Sequence, residues 1–106
     1  MKYNIYAGLG GSFGGAQYKG TGDFKDFNDA EDYAHQTAVE DYESYEGYHG
    51  ILSWYDVALE NGLDPDNPDN EEEINDLYSM EKEDWMEYYA ILFEEDDLDE
   101  EIIELW

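Results

Sequence analysis

The sequence predicts an α+β domain: a three-stranded antiparallel sheet, built from an N-terminal hairpin and a late strand, with two or three helices on one face. Three observations predict it. Residues 2–9 alternate with the period of a strand, and a glycine-rich turn and a second strand-like segment follow. Residues 30–45 carry an alanine and tyrosine stripe at helical spacing. Residues 88–93, YYAILF, form a short apolar run between Glu87 and Glu94. At 106 residues the chain fits one domain, 1–106, with no internal repeat and no linker.

The elements follow in order. Across Lys2–Leu9, Tyr3, Ile5, Ala7 and Leu9 alternate with Asn4, Tyr6 and Gly8. Gly10, Gly11, Ser12, Gly14 and Gly15 supply the turn, and a second strand runs roughly over Ala16–Phe24. Asn28 with Glu31 reads as a capping box, opening a helix that reaches about Tyr45 and stops at Gly47. Its inner face holds Ala30, Tyr33, Ala34, Thr37, Ala38, Tyr42 and Tyr45, and its outer face Asp29, Asp32, Gln36, Glu40 and Glu43. Ser53 caps a shorter helix carrying Trp54, Val57 and Ala58, which ends at Gly62. Residues 64–70, DPDNPDN, form an acidic loop broken by proline. Asn70 with Glu73 predicts another capped helix, with Ile74, Leu77, Tyr78 and Trp85 facing inward and acids 71–73 in its first turn. Periodicity alone allows Tyr88–Phe93 to continue that helix. Its aromatic and aliphatic content and its length favour a third strand. In the acidic tail, 94–106, Leu98, Ile102 and Leu105 or Trp106 lie at helical spacing, which predicts a short amphipathic helix, docked or free.

The charge is extreme. Thirty Asp and Glu face four Lys and no Arg, for a net charge of −26. Leu, Ile, Val and Phe make up about a fifth of the chain, at the edge of the disordered class. Eleven Tyr, three Trp and three Met shift the balance toward a folded domain with a thin, Tyr-rich core. No cysteine is present, which excludes disulfides and thiolate zinc sites. The missing Arg removes bidentate phosphate clamps. No apolar run is long enough to span a bilayer, and the start, MKYNIYAGLGG, has no signal-peptide pattern. Such a surface repels nucleic acid and anionic membranes, leaving basic surfaces or cations as partners.

Motifs for chemistry are weak. The stretch GLGGSFGG lacks both the GK[ST] ending and the GxGxxG spacing of phosphate loops, so it reads as a hairpin turn. The loop Asp64–Glu73 resembles a calcium loop in composition only. Counted from Asp64, Pro68 falls where a ligand is needed, Asp69 where glycine is needed and Asn75 where glutamate is needed. His35 and His49 read as surface or boundary residues, and no serine sits in a nucleophile elbow. No catalytic residue, cofactor or metal site is assigned.

What departs from background is where the acids lie. Residues 1–25 are near neutral, at +2, whereas residues 26–106 carry −28. Duplex DNA carries one charge per about 1.7 Å of axis, so 26 charges correspond to roughly 44 Å of duplex. A compact chain of this length has a radius of gyration near ~13 Å. Mimicry of nucleic-acid backbone is therefore geometrically open to this chain.

In character, the chain resembles the small acidic DNA-mimic anti-defence proteins of phages and mobile elements, of anti-CRISPR or antirestriction type. It is short, free of cysteine, rich in aromatics and strongly acidic. Locally, Ile5-Tyr6-Ala7-Gly8-Leu9-Gly10 and the glycine-spaced second strand are similar to the opening of ArdA-type antirestriction proteins, over about the first 25 residues of a much shorter chain. The resemblance implies a non-enzymatic inhibitor in the cytoplasm of a bacterial host. It would occupy the DNA- or RNA-binding groove of a CRISPR effector, restriction enzyme or other nuclease, without binding nucleic acid or membrane itself. The residues expected to imitate phosphates are Asp29, Asp32, Glu40 and Glu43 on the outer helix face; Asp64, Asp66, Asp69, Glu71 and Glu72; and Glu94, Glu95, Asp96, Asp97, Glu100 and Glu101. Tyr45, Tyr48 and Trp106 are candidate contacts at the patch edges. The alternatives are an acidic or antitoxin-like interaction module that binds a basic partner without mimicry, and a calcium-responsive protein. The exposed third strand or the apolar tail offers a route to a homodimer.

Overall fold

A computed structural model of the chain describes residues 1–99 and 101–105. The sheet has the order β2-β1-β3, with β1 Lys2–Leu9, β2 Gly15–Asp23 and β3 Met86–Leu92, and both pairings are antiparallel. Between the first two strands and the last lie α1 (Phe27–Tyr45), α2 (Trp54–Glu60) and α3 (Glu71–Trp85). The run around Tyr88 is thus the third strand, and it makes β1 central. Short 3₁₀ turns occupy Gly11–Phe13, Pro68–Asn70 and Phe93–Glu95.

One face of the sheet is lined from β1 by Tyr3, Ile5, Ala7 and Leu9, all buried. α1 lies across it, burying Ala30, Ala34, Ala38 and Tyr42 at i, i+4 spacing. The alanines let the helix approach closely, and the large side chains come from the sheet and from Tyr42. The apolar contacts form two clusters, one around Ala7, Leu9, Ala38, Tyr42, Ile51 and Met86, the other around Tyr3, Ile5, Ala30, Ala34 and Ala90. A bulge in β2 separates the pairs Ile5–Gly20 and Tyr6–Tyr18. The extra residue is Lys19, whose Nζ meets Asp41 of α1 at 2.9 Å. Gly8 is required at its position, because a Cβ there would sit 2.4 Å from the Gly15 carbonyl oxygen.

α1 begins earlier than its sequence signal. Asp26, not Asn28, is the cap, and its carboxylate accepts the Asp29 N–H at 2.9 Å. Phe27, packed 6.4 Å from the Tyr3 ring, sets that frame. α2 carries the expected Ser53 cap, in a full capping box with Asp56. At α3 the Asn70 side chain makes no cap bond. It donates instead to the Asp64 carbonyl at 3.2 Å, and Asn67 caps the preceding turn by accepting the Asp69 N–H.

The tail differs most from expectation. The described residues 96–105 contain no helix. They run extended from Asp96, which meets Asn4 and Tyr6 on the second face of the sheet, to the free edge of β2, where Thr21 and Glu104 form a parallel bridge. The Thr21 N–H donates to the Ile103 carbonyl at 2.6 Å, and the Leu105 N–H donates to the Thr21 carbonyl at 3.0 Å. A helix here would stack acids at i, i+3 and i+4, such as Asp97 on Glu101, at a cost an extended strap avoids. Gly20 leaves room for the strap: a Cβ on it would lie 2.4 Å from Leu105 Cδ2.

The molecule is longer than a compact chain of its size. Its radius of gyration is 16.2 Å and its extents are 49 × 28 × 19 Å. The contacts explain the length. His35 of α1 meets Glu83 of α3, whereas Tyr42 and Glu46 meet Tyr78. α3 is therefore antiparallel to α1, and its first two turns extend about 10 Å past the end of α1.

Candidate functional site

The acidic surface is built from three regions. On α1, Asp29, Asp32, Glu40 and Glu43 are all exposed, on the side opposite the buried alanine stripe. Asp29 to Glu43 spans about 21 Å at 1.5 Å per residue. Gln36 interrupts the row.

The second region is the projecting end formed by the 64–70 loop and the start of α3. Asp64, Asp66, Asp69, Glu71 and Glu72 are exposed there. The loop holds itself in side-chain turns: Asp64 Oδ1 accepts the Asp66 N–H at 2.9 Å, and Asn67 Oδ1 accepts the Asp69 N–H at 3.0 Å. Glu71, Glu72 and Glu73 occupy the first turn of α3, where the helix dipole offsets their mutual repulsion. Among the described residues, no group of three or more Asp, Glu or His is gathered closely enough to hold a metal ion.

The third region is the tail. Glu94, Glu95, Asp97 and Glu101 are exposed, and Glu100 and Trp106 lie outside the described residues. Asp96 differs from its neighbours. It is half-buried and accepts from the Asn4 Nδ2 amide at 2.8 Å and from the Tyr6 hydroxyl, so its charge is turned into the protein. Asn4 Oδ1 in turn accepts from the Thr21 hydroxyl at 2.5 Å, and the Thr21 and Tyr18 hydroxyls bond at 2.6 Å. Tyr18 also accepts the Ile103 N–H at 3.0 Å. Burial first, and then the bond to Asp96, push the Tyr6 hydroxyl well above the usual tyrosine pKa, which keeps it a donor.

These regions do not share one flat face. α1 covers one side of the sheet and its acids point away from it, while the tail crosses the other side. The α1 row continues lengthwise into the projecting end, and the tail acids lie behind them. Exposed Glu31, Asp76 and Asp84 add to the field, as their polar helical positions indicate, though the expected set omits them. Asp41 is partly neutralised by Lys19, and Lys82 sits 4.5 Å from the Tyr78 ring centre. At the edges, Tyr48 is 66% exposed, whereas Tyr45 packs on Phe13 with ring centres 4.9 Å apart. His35 pairs with Glu83 at 2.8 Å and lies edge-on to Tyr88, and His49 packs against Phe13 with φ 53°. Among the described residues no helix is long and apolar enough to cross a membrane. No protein-family model, curated protein or solved structure matches the chain.

Proposed function

We propose that this protein is a non-enzymatic inhibitor that imitates nucleic-acid phosphate charge and blocks the DNA- or RNA-binding groove of a bacterial nuclease or CRISPR effector. One observation carries the reading. A net charge of −26 distributed along 49 Å is about one charge per 1.9 Å, against one per about 1.7 Å of duplex. Because the acids lie on opposite sides of the sheet, the fitting partner is a basic channel that encloses its ligand. A flat basic patch would meet only half of the field. Lys and Arg that normally contact phosphates would meet carboxylates held on rigid helix turns, with counterion release and electrostatic steering as the driving terms. This role requires no catalytic residue. It places the chain in the cytoplasm of a bacterial host, as an anti-defence factor of phage or mobile-element type.

The test is retention of partners from a bacterial lysate by the immobilised chain at low salt. Recovery of a nuclease or other nucleic-acid-binding protein that elutes as salt rises supports the reading. If only basic proteins without nucleic-acid grooves are retained, the chain is an interaction module instead.

A further inference from the structure

On the second face of the sheet the register aligns one tyrosine from each strand: Tyr18 of β2, Tyr6 of β1 and Tyr89 of β3. The Tyr6 and Tyr89 rings stack with centres 4.7 Å apart and planes 15° apart, and Tyr18 is tilted by 57° at 5.8 Å. The row on one side is Thr21–Asn4–Ile91, where the C-terminal strap meets Asn4 through Asp96 and Thr21 through residues 103–105. The row on the other side is Ala16–Gly8–Glu87, whose first two members have little or no side chain. An open recess of about 350 Å³ results, lined by Tyr6, Ala16, Gln17, Tyr18, Tyr89 and Leu98. Tyr89 is 43% exposed, a large ring left at a surface that the fold does not cover.

The chemistry of this recess is specific. Aromatic faces attract cations, and a planar guanidinium both stacks on rings and pairs with a carboxylate. Glu87, exposed and two residues from Tyr89 on the same face, is the neighbouring carboxylate; its side chain rests over Gly10 and Gly15, beside the recess, and rotates to reach it. A sheet with a row of aromatics is also the platform that stacks nucleic-acid bases, but a net charge of −26 opposes that ligand. We propose that the recess receives an arginine side chain of the partner protein, stacked on the tyrosine rings and paired with Glu87. This deepens the inhibitor reading by adding a specific anchor to a diffuse charge match.

The probe is the peptide acetyl-Gly-Arg-Gly-amide, titrated into the full chain at 150 mM NaCl and followed by NMR of the tyrosine rings. A matched peptide with citrulline in place of arginine removes the charge and keeps the shape. The expected result is saturable shifts of the Tyr6, Tyr18 and Tyr89 ring signals with arginine and not with citrulline. Tyr89→Leu should weaken binding on the order of 3- to 30-fold, the range of a cation–π contact. Glu87→Gln should weaken it less, and Glu60→Gln, at an exposed acid on α2, should leave it unchanged. Both recess variants alter exposed side chains, and their circular dichroism should match the parent. The proposal is overturned if citrulline shifts the same rings equally, if Tyr89→Leu binds like the parent, or if a single-stranded oligonucleotide saturates the rings in place of the peptide. None of these outcomes depends on duplex competition, so the anchor and the mimic readings fail separately.

Discussion

Replacing Asp96 with alanine separates a structural acid from a charge-presenting one. Its carboxylate is the shared acceptor for the amide of fully buried Asn4 and for the Tyr6 hydroxyl. Hydrogen bonds to a charged group contribute about 1.5–3 kcal/mol each. Because Asp96 is only half-buried, the lower half of that range applies, and the pair sums to roughly 3–4.5 kcal/mol. In a domain of this size each kcal/mol moves Tm by about 4–8 °C, so Asp96→Ala should lower it by roughly 12–36 °C. Asp96→Asn keeps an acceptor oxygen and should lose about half as much. Thermal unfolding by circular dichroism reads both. Hydrogen exchange adds a local readout, since the Leu105 N–H, bonded to the Thr21 carbonyl, should lose protection as the strap loosens. If Asp96→Ala melts within about 2 °C of the parent, less than ~1 kcal/mol is at stake and the latch does not exist as described.

Other outcomes follow from the same structure. Tyr42→Phe removes the hydroxyl that donates to the Leu52 carbonyl at 2.6 Å, and should cost about 1–3 kcal/mol in denaturant unfolding. Burial, reinforced by nearby carboxylates, raises the pKa of Tyr42, Tyr78 and Tyr6 above that of an unfolded tyrosine near ~10. The folded state therefore binds more protons at alkaline pH: stability should be intact below pH ~10 and fall as pH rises from there, as measured by Tm against pH. Added NaCl should raise Tm. At 0.01 M the Debye length of about 30 Å exceeds the 19 Å and 28 Å cross-section, so opposite faces repel, and at 0.15 M it is about 8 Å. Neutralising the α1 row as Asp29→Asn, Asp32→Asn, Glu40→Gln and Glu43→Gln should leave the fold intact. It should flatten the slope of log affinity against log salt for the retained partner by up to about 3.6.

Much of the fold is legible in the sequence because it rests on local periodicity. Tyr3, Ile5, Ala7 and Leu9 mark β1 to the residue, the Ala30–Ala34–Ala38 stripe marks the inner face of α1, and Ser53 marks the start of α2. Where several residues compete for one role, the local signal fails. Asp26, Asn28 and Asp29 are all good caps, and the packing of Phe27 on Tyr3 decides among them. Asn4, Tyr6 and Gly8 only alternate with the inward residues of β1 in the sequence, yet Asn4 is fully buried. The cause is a partner 92 residues away, which periodicity cannot register. The same contact takes Asp96 out of the presented charge, and composition treats all thirty acids alike. The tyrosine row is visible only once register is known, because its members come from three strands.

The central claim is that the protein and nucleic acid compete for one groove. The direct measurement is fluorescence anisotropy of a labelled duplex bound to the retained partner, with the acidic chain titrated in at 50 mM salt. Stoichiometric displacement of the duplex is expected, with an apparent affinity that falls steeply as salt rises. A ternary complex in which the duplex stays bound while the chain also binds would contradict it.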